Sequence, residues 1–195
     1  MAELKSEMHA YLEKVKSTID TLDLNELNDA LTALVAANER CAAIYVMGNG
    51  GSAATASHMV CDFNKGISNF SPNKFRMICL SDNLPTLSAI ANDLSYDDVF
   101  FEQLRGALEP GDVVIAISGS GNSANVVKAV KYANEIGAVT LAMTGYDGGE
   151  LKKLCRHSLH AAIMDMQISE DLHMIFDHMF MRVLCDYYSG GAQDC

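Results

Sequence analysis

Apolar residues recur in five short runs along the chain, and turn residues and longer amphipathic stretches separate these runs. Short apolar runs predict buried β-strands, and the stretches between them have the three- and four-residue spacing of helices. Strands that alternate with helices are typical of an α/β fold with a parallel sheet. We therefore predict a single three-layer domain around a five-stranded parallel sheet. The predicted strands cover residues 42–47, 75–80, 112–117, 138–143 and 158–164.

Two amphipathic stretches, residues 2–22 and 25–40, precede the first predicted strand. The first has an apolar stripe at helical spacing but no neighbouring strand to cover. It packs either on its own domain or on a neighbouring subunit, and the pattern leaves both possibilities open. Residues 168–188 form a long helix that is apolar nearly all round, which predicts a buried helix. Residues 189–195 are expected to be a flexible tail.

Composition narrows the class of partner. The 195 residues suffice for one domain with a core, and the net charge of −11 argues against a nucleic-acid surface. Six cysteines without a C-x-x-C pair, several in apolar runs, predict reduced core thiols and a cytoplasmic location. The amino terminus lacks the apolar segment of a signal peptide, and no apolar run approaches the ~20 residues of a membrane helix. We therefore expect neither nucleic acid nor membrane as a partner.

Glycines follow the first predicted strand at once. Three glycines and an asparagine occupy positions 48–51, and Ser52 opens a helix of small residues. Glycine lets the backbone approach a ligand closely, and the first N–H groups of a helix lack intrahelical partners and suit a phosphate. Asn49, Gly50, Gly51 and Ser52 are therefore candidate anion-binding residues. A plain strand-to-helix turn is the alternative.

A second strand-to-helix turn repeats this arrangement with three hydroxyl groups. Residues 118–123 read Ser-Gly-Ser-Gly-Asn-Ser and lie between a predicted strand and a helical run. Two such turns at the carboxyl ends of parallel strands suggest one phosphorylated ligand between them. The predicted phosphate site therefore also includes Ser118, Gly119, Ser120 and Ser123.

The first turn also matches a dinucleotide-binding fingerprint loosely, with Gly48, Gly50 and Ala53 at suitable spacing. A nucleotide-dependent oxidoreductase is therefore an alternative. However, the acidic residue after the second strand, Asp82, comes later than this fingerprint requires, and the serine-rich turn has no role in it. We expect no nucleotide cofactor.

Two predicted helices carry ionisable side chains that need a partner or a use. His58 and Asp62 lie four residues apart and share a helix face, which is either solvated or functional. Glu170 and His178 lie on the mostly apolar last helix, where an unpaired charge costs free energy. Histidine and carboxylate form acid–base pairs and are good zinc ligands. Glu170 and His178 are ~12 Å apart along a straight helix and would share one metal only with strain, while Gln167 could join the site.

Three segments together identify a family resemblance: Gly-Asn-Gly-Gly-Ser-Ala-Ala at 48–54, the serine-rich turn at 118–123, and Glu170-Asp171-x-His173 with His178. They resemble the sugar isomerase (SIS) domain, and within it the phosphoheptose isomerases, along nearly the whole chain. The resemblance implies a flavodoxin-like fold and a homotetramer with active sites between subunits. It implies sugar-phosphate contacts from Asn49, Asp93, Ser52, Ser118, Ser120 and Ser123.

The resemblance also implies a reaction. It is the aldose–ketose isomerisation of a phosphorylated sugar, sedoheptulose 7-phosphate to a heptose 7-phosphate, by proton transfer through an enediol(ate). The family's catalytic glutamate and histidine fall on Asp62 and His178. Some members bind zinc at positions that fall on His58, Asp62, Glu170 and His178, so we expect a divalent ion, zinc in the first instance.

Two departures from the family pattern keep alternatives open. Asp62 is one methylene shorter than the family's glutamate, and Glu170 stands where the family usually has glutamine. Glu170 is therefore a second candidate for the catalytic base. A non-catalytic sugar-phosphate sensor or an assembly module of the same fold is the alternative to an enzyme.

Overall fold

The computed structural model describes residues 4–190. Within this range the strands are β1 (Ala43–Gly48), β2 (Arg76–Cys79), β3 (Val113–Ser118), β4 (Val139–Thr144) and β5 (His157–His160). The α-helices are α1 (Leu4–Ile19), α2 (Leu24–Glu39), α3 (Gly51–Cys61), α4 (Leu84–Asp93), α5 (Phe101–Leu104), α6 (Ala124–Ile136), α7 (Gly149–Leu154) and α8 (Met166–Ser189). A π-helix at Asp62–Gly66 and 3₁₀ turns at Ile67–Asn69 and Tyr96–Asp98 complete the regular structure of the described part.

The strands form one parallel sheet in the order β2-β1-β3-β4-β5, which confirms the predicted fold class. From β1 the chain moves outward to β2 on one side and then returns to β3 on the other. In sheets of this kind a crevice opens at the carboxyl ends of the two strands where the order reverses. The register pairs Gly48 with Ile117, so the two glycine-rich turns leave the sheet at nearly the same level.

Helices cover both faces of the sheet, as predicted. Alternate residues of β1 and β3 enter two separate clusters. Ile44 and Ile115 pack against α2, α3 and α8, whereas Tyr45 and Ala116 pack against α5, α6 and α7. Burying one large aliphatic side chain stabilises a fold by about 1.5–3 kcal/mol. The sheet therefore forms the rigid base from which the turns at its carboxyl edge project.

Helix α1 contributes little to this core. Its only buried residue is Thr18, and it contacts α8 through a hydrogen bond of 2.5 Å from the Tyr11 hydroxyl to Asp171. This hydrogen bond is the main reason that the pKa of Tyr11 is raised to about 12. The apolar stripe of α1 is solvent-exposed in the single chain, with Met8 64% and Leu12 57% exposed.

Helix α8 differs from the prediction of a fully buried helix. One face, with Leu172, Phe176 and Phe180, packs into the core. The other face is at the surface, where Val183 is 45% and Tyr187 65% exposed. The reason is geometric, since α8 lies in an outer layer and only one of its faces meets the sheet.

Some element boundaries also differ. β5 ends at His160 rather than at residue 164, because it pairs only with β4 and its last partner is Thr144. The helix predicted over residues 97–108 is a 3₁₀ turn followed by the one-turn α5, which ends at Leu104, and Gly106 shortly after it adopts a φ of +79°. The helix predicted to continue to about residue 64 changes from α to π geometry at Asp62.

The cysteine prediction is only partly correct. Cys79 is buried, but the thiols of Cys41 and Cys61 are exposed, so these two residues are not in the core. Cys185 is buried and disulfide-bonded, which contradicts the expectation that all six cysteines are reduced. Residues 191–195 of the expected tail lie outside the described part of the chain.

Among the helices of residues 4–190, none combines the length and the apolar character needed to cross a membrane.

Candidate active site

A pocket of about 180 Å³ lies at the carboxyl ends of β1 and β3, where the sequence predicts a ligand. A larger cleft of about 350 Å³ includes Val139 and His157, the first residues of β4 and β5. Parallel α/β sheets bind ligands at the carboxyl ends of their strands, so the smaller pocket is the candidate site. We name it the hydroxyl pocket. It is lined by Asn49, Ser52, Ile117, Ser118, Gly119, Ser120, Ser123, Met166 and Glu170.

The serine-rich turn is held in shape by its own bonds and by the segment before α7. The Oγ atoms of Ser118 and Ser123 lie 3.1 Å apart. Gly121 has a φ of +67°, and a Cβ there would lie 2.1 Å from the carbonyl oxygen of Gly148. Its own carbonyl accepts a hydrogen bond of 3.0 Å from the Leu151 N–H. The turn is therefore preorganised, with its hydroxyl groups already at the pocket wall.

The glycine-rich turn is anchored by residues that the sequence reading missed. The side-chain amides of Asn49 and Asn125 exchange two hydrogen bonds, of 2.9 and 3.0 Å. The Tyr96 hydroxyl donates to the Asn49 Oδ1 atom at 2.8 Å. No local sequence signal links these residues, because the sheet topology brings them together. Gly50 precedes α3 with a φ of +55°, and no side chain caps the N-terminus of this helix.

The hydroxyl pocket has no lysine or arginine in its lining, within residues 4–190. The groups that favour an anion in such a lining are hydroxyl groups and the N-termini of α3 and α6, which carry partial positive charge. The only ionisable residue of the lining is Glu170. A Cβ on Gly51 would lie 2.5 Å from the Glu170 Oε1 atom, so this carboxylate rests against the first residue of α3. A negative charge is favoured at that helix end.

A second group of polar side chains lies between α3 and α8. It consists of His58, Asp62, Asp177 and His178, and we name it the histidine–aspartate cluster. The His58 Nε2 atom lies 3.1 Å from the His178 Nε2 atom, 3.4 Å from the Asp62 Oδ2 atom and 4.0 Å from the Asp177 Oδ2 atom. One ligand atom from each residue lies within 4.8 Å of all the others. Two imidazoles and two carboxylates form a donor set that suits a divalent ion such as zinc.

Asp177 is the residue of this cluster that the sequence reading missed. Its side chain is completely buried, and neither carboxylate oxygen has a hydrogen-bond partner within the described range. The pKa of Asp177 is raised to about 7, mainly by burial and to a smaller extent by the negative charge of Asp62. The predicted ligand set contained Glu170 instead, which the structure places in the hydroxyl pocket. The signal available in the sequence was spacing, since Asp177 lies seven residues after Glu170 and therefore on nearly the same helix face.

The hydroxyl pocket and the histidine–aspartate cluster lie along the same pair of helices. Gly51 and His58 are seven residues apart on α3, and Glu170 and Asp177 are seven residues apart on α8. Seven residues are roughly 10 Å of helix and almost two complete turns. The contact between Glu170 and Gly51 at one end and between His58 and Asp177 at the other shows that the two helices run side by side. The pair therefore connects the hydroxyl pocket to the histidine–aspartate cluster.

Four of the predicted ligand-binding residues lie outside the lining of the hydroxyl pocket, namely Gly50, Gly51, Asp93 and Gln167. Asp93 is the last residue of α4 and is exposed, and its Oδ1 atom accepts a hydrogen bond of 2.8 Å from the Asn92 amide. Gln167 is exposed in the first turn of α8. Their predicted contacts with the sugar stay predictions.

Comparison with known proteins defines the class of protein first. Residues 7–145 match the SIS domain, so the chain belongs to the SIS domain family. The two relatives described next are phosphoheptose isomerases. The chain is 36% identical over 180 residues to the probable phosphoheptose isomerase of Thermoplasma volcanium, covering 91% of this chain and 90% of that protein. It is 33% identical to the Aliarcobacter butzleri phosphoheptose isomerase, over 91% and 93% of the two chains.

The fold comparison agrees. The solved structure of the phosphoheptose isomerase from Neisseria gonorrhoeae matches with a TM-score of 0.85 at 27% identity, covering 93% of this chain and 98% of that one. These findings confirm the resemblance inferred from the glycine-rich turn, the serine-rich turn and the last helix.

Proposed function

We propose that the protein interconverts sedoheptulose 7-phosphate and an aldoheptose 7-phosphate. Its relatives identify it as an isomerase of the phosphoheptose type. The observation that carries the assignment to this site is the placement of an anion pocket and an acid–base group on one pair of helices. The substrate phosphate would bind in the hydroxyl pocket, and the reacting carbons would lie at the histidine–aspartate cluster.

The separation of the two places supports a long sugar. The two parts are roughly 10 Å apart along α3. An extended seven-carbon sugar spans a similar distance, roughly 9–10 Å from its first carbon to its phosphate, because each carbon–carbon bond is about 1.5 Å. A three-carbon sugar phosphate would not reach from the pocket to the cluster.

The chemistry needs a base beside the carbonyl and a group that moves protons between oxygens. Asp62 is the proposed base, which removes the proton from the carbon next to the carbonyl and returns it to the neighbouring carbon. His178 is the proposed proton donor and acceptor for the two oxygens, since imidazole changes charge near neutral pH. The hydroxyl pocket supplies binding energy remote from the reacting carbons. Glu170 is the alternative base.

A divalent ion, proposed to be zinc, fits the histidine–aspartate cluster. His58, Asp62 and His178 from the predicted ligand set lie together there. When bound, such an ion would stabilise the negative charge that develops on the sugar oxygens. The chain's own groups then bind and orient the sugar and exchange the protons.

A homotetramer with active sites between subunits is the proposed assembly. The support is the apolar stripe of α1, whose residues Leu4 and Met8 are 66% and 64% exposed in the single chain. Replacing Met8 and Leu12 together with lysine should give smaller particles in light scattering. An active wild-type monomer would contradict the proposal.

Turnover distinguishes an enzyme from a sugar-phosphate sensor. The test incubates the wild-type protein with sedoheptulose 7-phosphate and with shorter ketose phosphates, and follows aldose formation. We expect turnover with the heptulose and much less with the shorter sugars. Binding of the heptulose without turnover would favour the sensor. The dinucleotide-dependent alternative is not supported, because the strand order is not that of a dinucleotide-binding fold.

A further inference from the structure

We infer that Asp177, rather than Glu170, supplies the fourth protein ligand of a divalent metal site in the histidine–aspartate cluster. This inference rests on the proposed function only in assuming that the cluster binds a metal. It assigns a role to a residue that the family resemblance did not include. It also removes from the ligand set a residue that the resemblance placed there.

The burial of Asp177 is the first argument. A carboxylate taken out of water costs several kcal/mol unless it is paired or coordinates a metal. Asp177 is 0% exposed, and within residues 4–190 both of its oxygens lack a hydrogen bond. The nearest cationic candidate is the imidazole of His58, at 4.0 Å. Within residues 4–190 no lysine or arginine donates a hydrogen bond to this carboxylate, and a bound divalent ion would supply a positive charge beside it.

The distances within the cluster are the second argument. Two ligand atoms on one tetrahedral zinc ion, each about 2.1 Å from the metal, are about 3.4 Å from each other. The distances from the His58 Nε2 atom to its three neighbours are 3.1, 3.4 and 4.0 Å. All the ligand atoms are within 4.8 Å of one another. The three distances from His58 lie within about 0.6 Å of the tetrahedral spacing, and no other pair of ligand atoms needs to close by more than about 1.4 Å.

The orientation of the two histidines is the third argument. The Nε2 atoms of His58 and His178 face each other at 3.1 Å, with the rings at 74°. Lone pairs that face each other repel unless a proton or a metal ion lies between them. Because two carboxylates belong to the same cluster, a divalent cation would satisfy all four groups together. Two carboxylates also neutralise its two charges, which lowers the cost of burying the site.

Glu170 has a different environment. Its carboxylate rests against Gly51 at the N-terminus of α3, in the hydroxyl pocket. Glu170 and Asp177 are separated by roughly 10 Å along α8, so they do not reach the same ion without bending the helix. The proposed ligand set is therefore His58, Asp62, Asp177 and His178.

Zinc affinity of purified, metal-free variants tests this assignment. The readout is competition with a chromophoric chelator, without sugar or phosphate present. Asp177→Asn should weaken zinc binding about 100-fold or more, because changes at residues that only support a metal ligand cost about 100-fold at most. Glu170→Gln should bind zinc like the wild type. Asp186→Asn, on the same helix and 45% exposed at its side chain, controls for the lost negative charge.

Cobalt substitution separates a ligand from a residue that only supports one. Loss of a ligand should change the visible absorption spectrum of bound Co²⁺ in Asp177→Asn, whereas Glu170→Gln should keep the wild-type spectrum. Circular dichroism and thermal melting of the metal-free proteins check the fold. Asp177→Leu serves as a second variant if the asparagine protein does not fold, because the buried position suits an apolar side chain.

Three outcomes would overturn the inference. They are wild-type zinc affinity in Asp177→Asn, an equal loss in Glu170→Gln, and a wild-type protein that binds no stoichiometric zinc. Failure of the proposed function is distinguishable from these outcomes. A protein that binds zinc through Asp177 but does not convert the heptulose would refute the isomerase and keep the metal site. Turnover of the heptulose by a protein whose zinc affinity does not depend on Asp177 would keep the isomerase and refute the metal site.

Discussion

In the hydroxyl pocket, Ser118 and Ser123 already contact each other at 3.1 Å, and the turn that carries them is bonded to its surroundings. In the histidine–aspartate cluster, the buried oxygens of Asp177 have no partner among the described residues. The hydroxyl groups of the first region are partly paired with each other, whereas a buried carboxylate of the second has no hydrogen bond in the described part of the chain. A preorganised pocket suits binding and positioning, because little order is lost when the ligand binds. An unsatisfied buried carboxylate instead suggests that a charged component belongs there.

The largest expected effect comes from the cluster. Asp62→Asn removes the proposed base and one proposed ligand, and general acid–base groups contribute about 10²–10⁴-fold to rate. We expect kcat for the heptulose to fall by a factor of about 10² or more. Circular dichroism should show an unchanged fold. Near-normal turnover in this variant, together with a loss in Glu170→Gln, would move the base from the cluster to the hydroxyl pocket.

The second prediction tests whether a buried ionisable side chain outside the cluster affects stability without affecting zinc binding. His173 is fully buried on α8, and desolvation lowers its pKa to about 4. Its folded-state pKa is below the unfolded value of about 6.5, so the unfolded chain takes up the proton first as the pH falls. The contribution of His173 to the free energy of unfolding is therefore fully present above about pH 6.5. It should fall by about 3 kcal/mol as the pH is lowered towards 4.

Urea unfolding at several pH values measures this loss of unfolding free energy. In His173→Leu the curve of unfolding free energy against pH should be flatter by about the same 3 kcal/mol, and zinc affinity at neutral pH should stay at the wild-type value. An equally steep acid loss in the variant would show that other groups cause it.

The third prediction concerns the hydroxyl pocket. Ser120 lines this pocket, and its Oγ atom accepts a hydrogen bond from the Asn122 N–H at 3.2 Å. Loss of a hydrogen bond to a charged group costs about 1.5–3 kcal/mol, so Ser120→Ala should weaken phosphate binding roughly 10- to 100-fold. Calorimetry with inorganic phosphate measures it. Ser71→Ala, on the loop before β2 at the opposite edge of the sheet, is the matched control.

Zinc affinity should not change in Ser120→Ala if the two regions are separate. Unchanged phosphate affinity in both Ser120→Ala and Ser52→Ala would remove the basis for the pocket.

The smallest effect is expected at the anchor of the glycine-rich turn. Tyr96→Phe removes the donor to Asn49 Oδ1, an exposed neutral hydrogen bond worth about 1 kcal/mol. We expect a rise in KM of a few fold and little change in kcat, since the residue positions the turn only. Tyr187→Phe, on the exposed face of α8, is the control. A large fall in kcat would mean that Tyr96 contacts the reacting part of the sugar.

Most residues that line the hydroxyl pocket were predicted to lie together at one edge of the sheet, because their signals are local. The residues 49–52 and 118–123 each follow an apolar strand directly, and parallel strands bring such turns to one edge. The cluster was predicted only in part, since His58 and Asp62 share one helix while their partners come from a helix more than 100 residues away. Asp177 was overlooked among apolar neighbours, although its seven-residue spacing from Glu170 indicated the same face.

The extent of burial of α8 was also beyond the sequence pattern. Its composition indicates an apolar helix but not which surface covers Val183 and Tyr187, which are exposed in the single chain. Periodicity reports which positions are apolar, and only packing decides which of them are buried.

Proton exchange during turnover tests the central claim most directly. The reaction is run in D₂O with sedoheptulose 7-phosphate, and the product is analysed by NMR for deuterium on the carbon next to the carbonyl. Because Asp62 is partly exposed, at 16% of its side chain, a proton that it holds should exchange with solvent. The account predicts deuterium in the product of the wild type and no conversion by Asp62→Asn. Product formed without deuterium, or full conversion by Asp62→Asn, would contradict it.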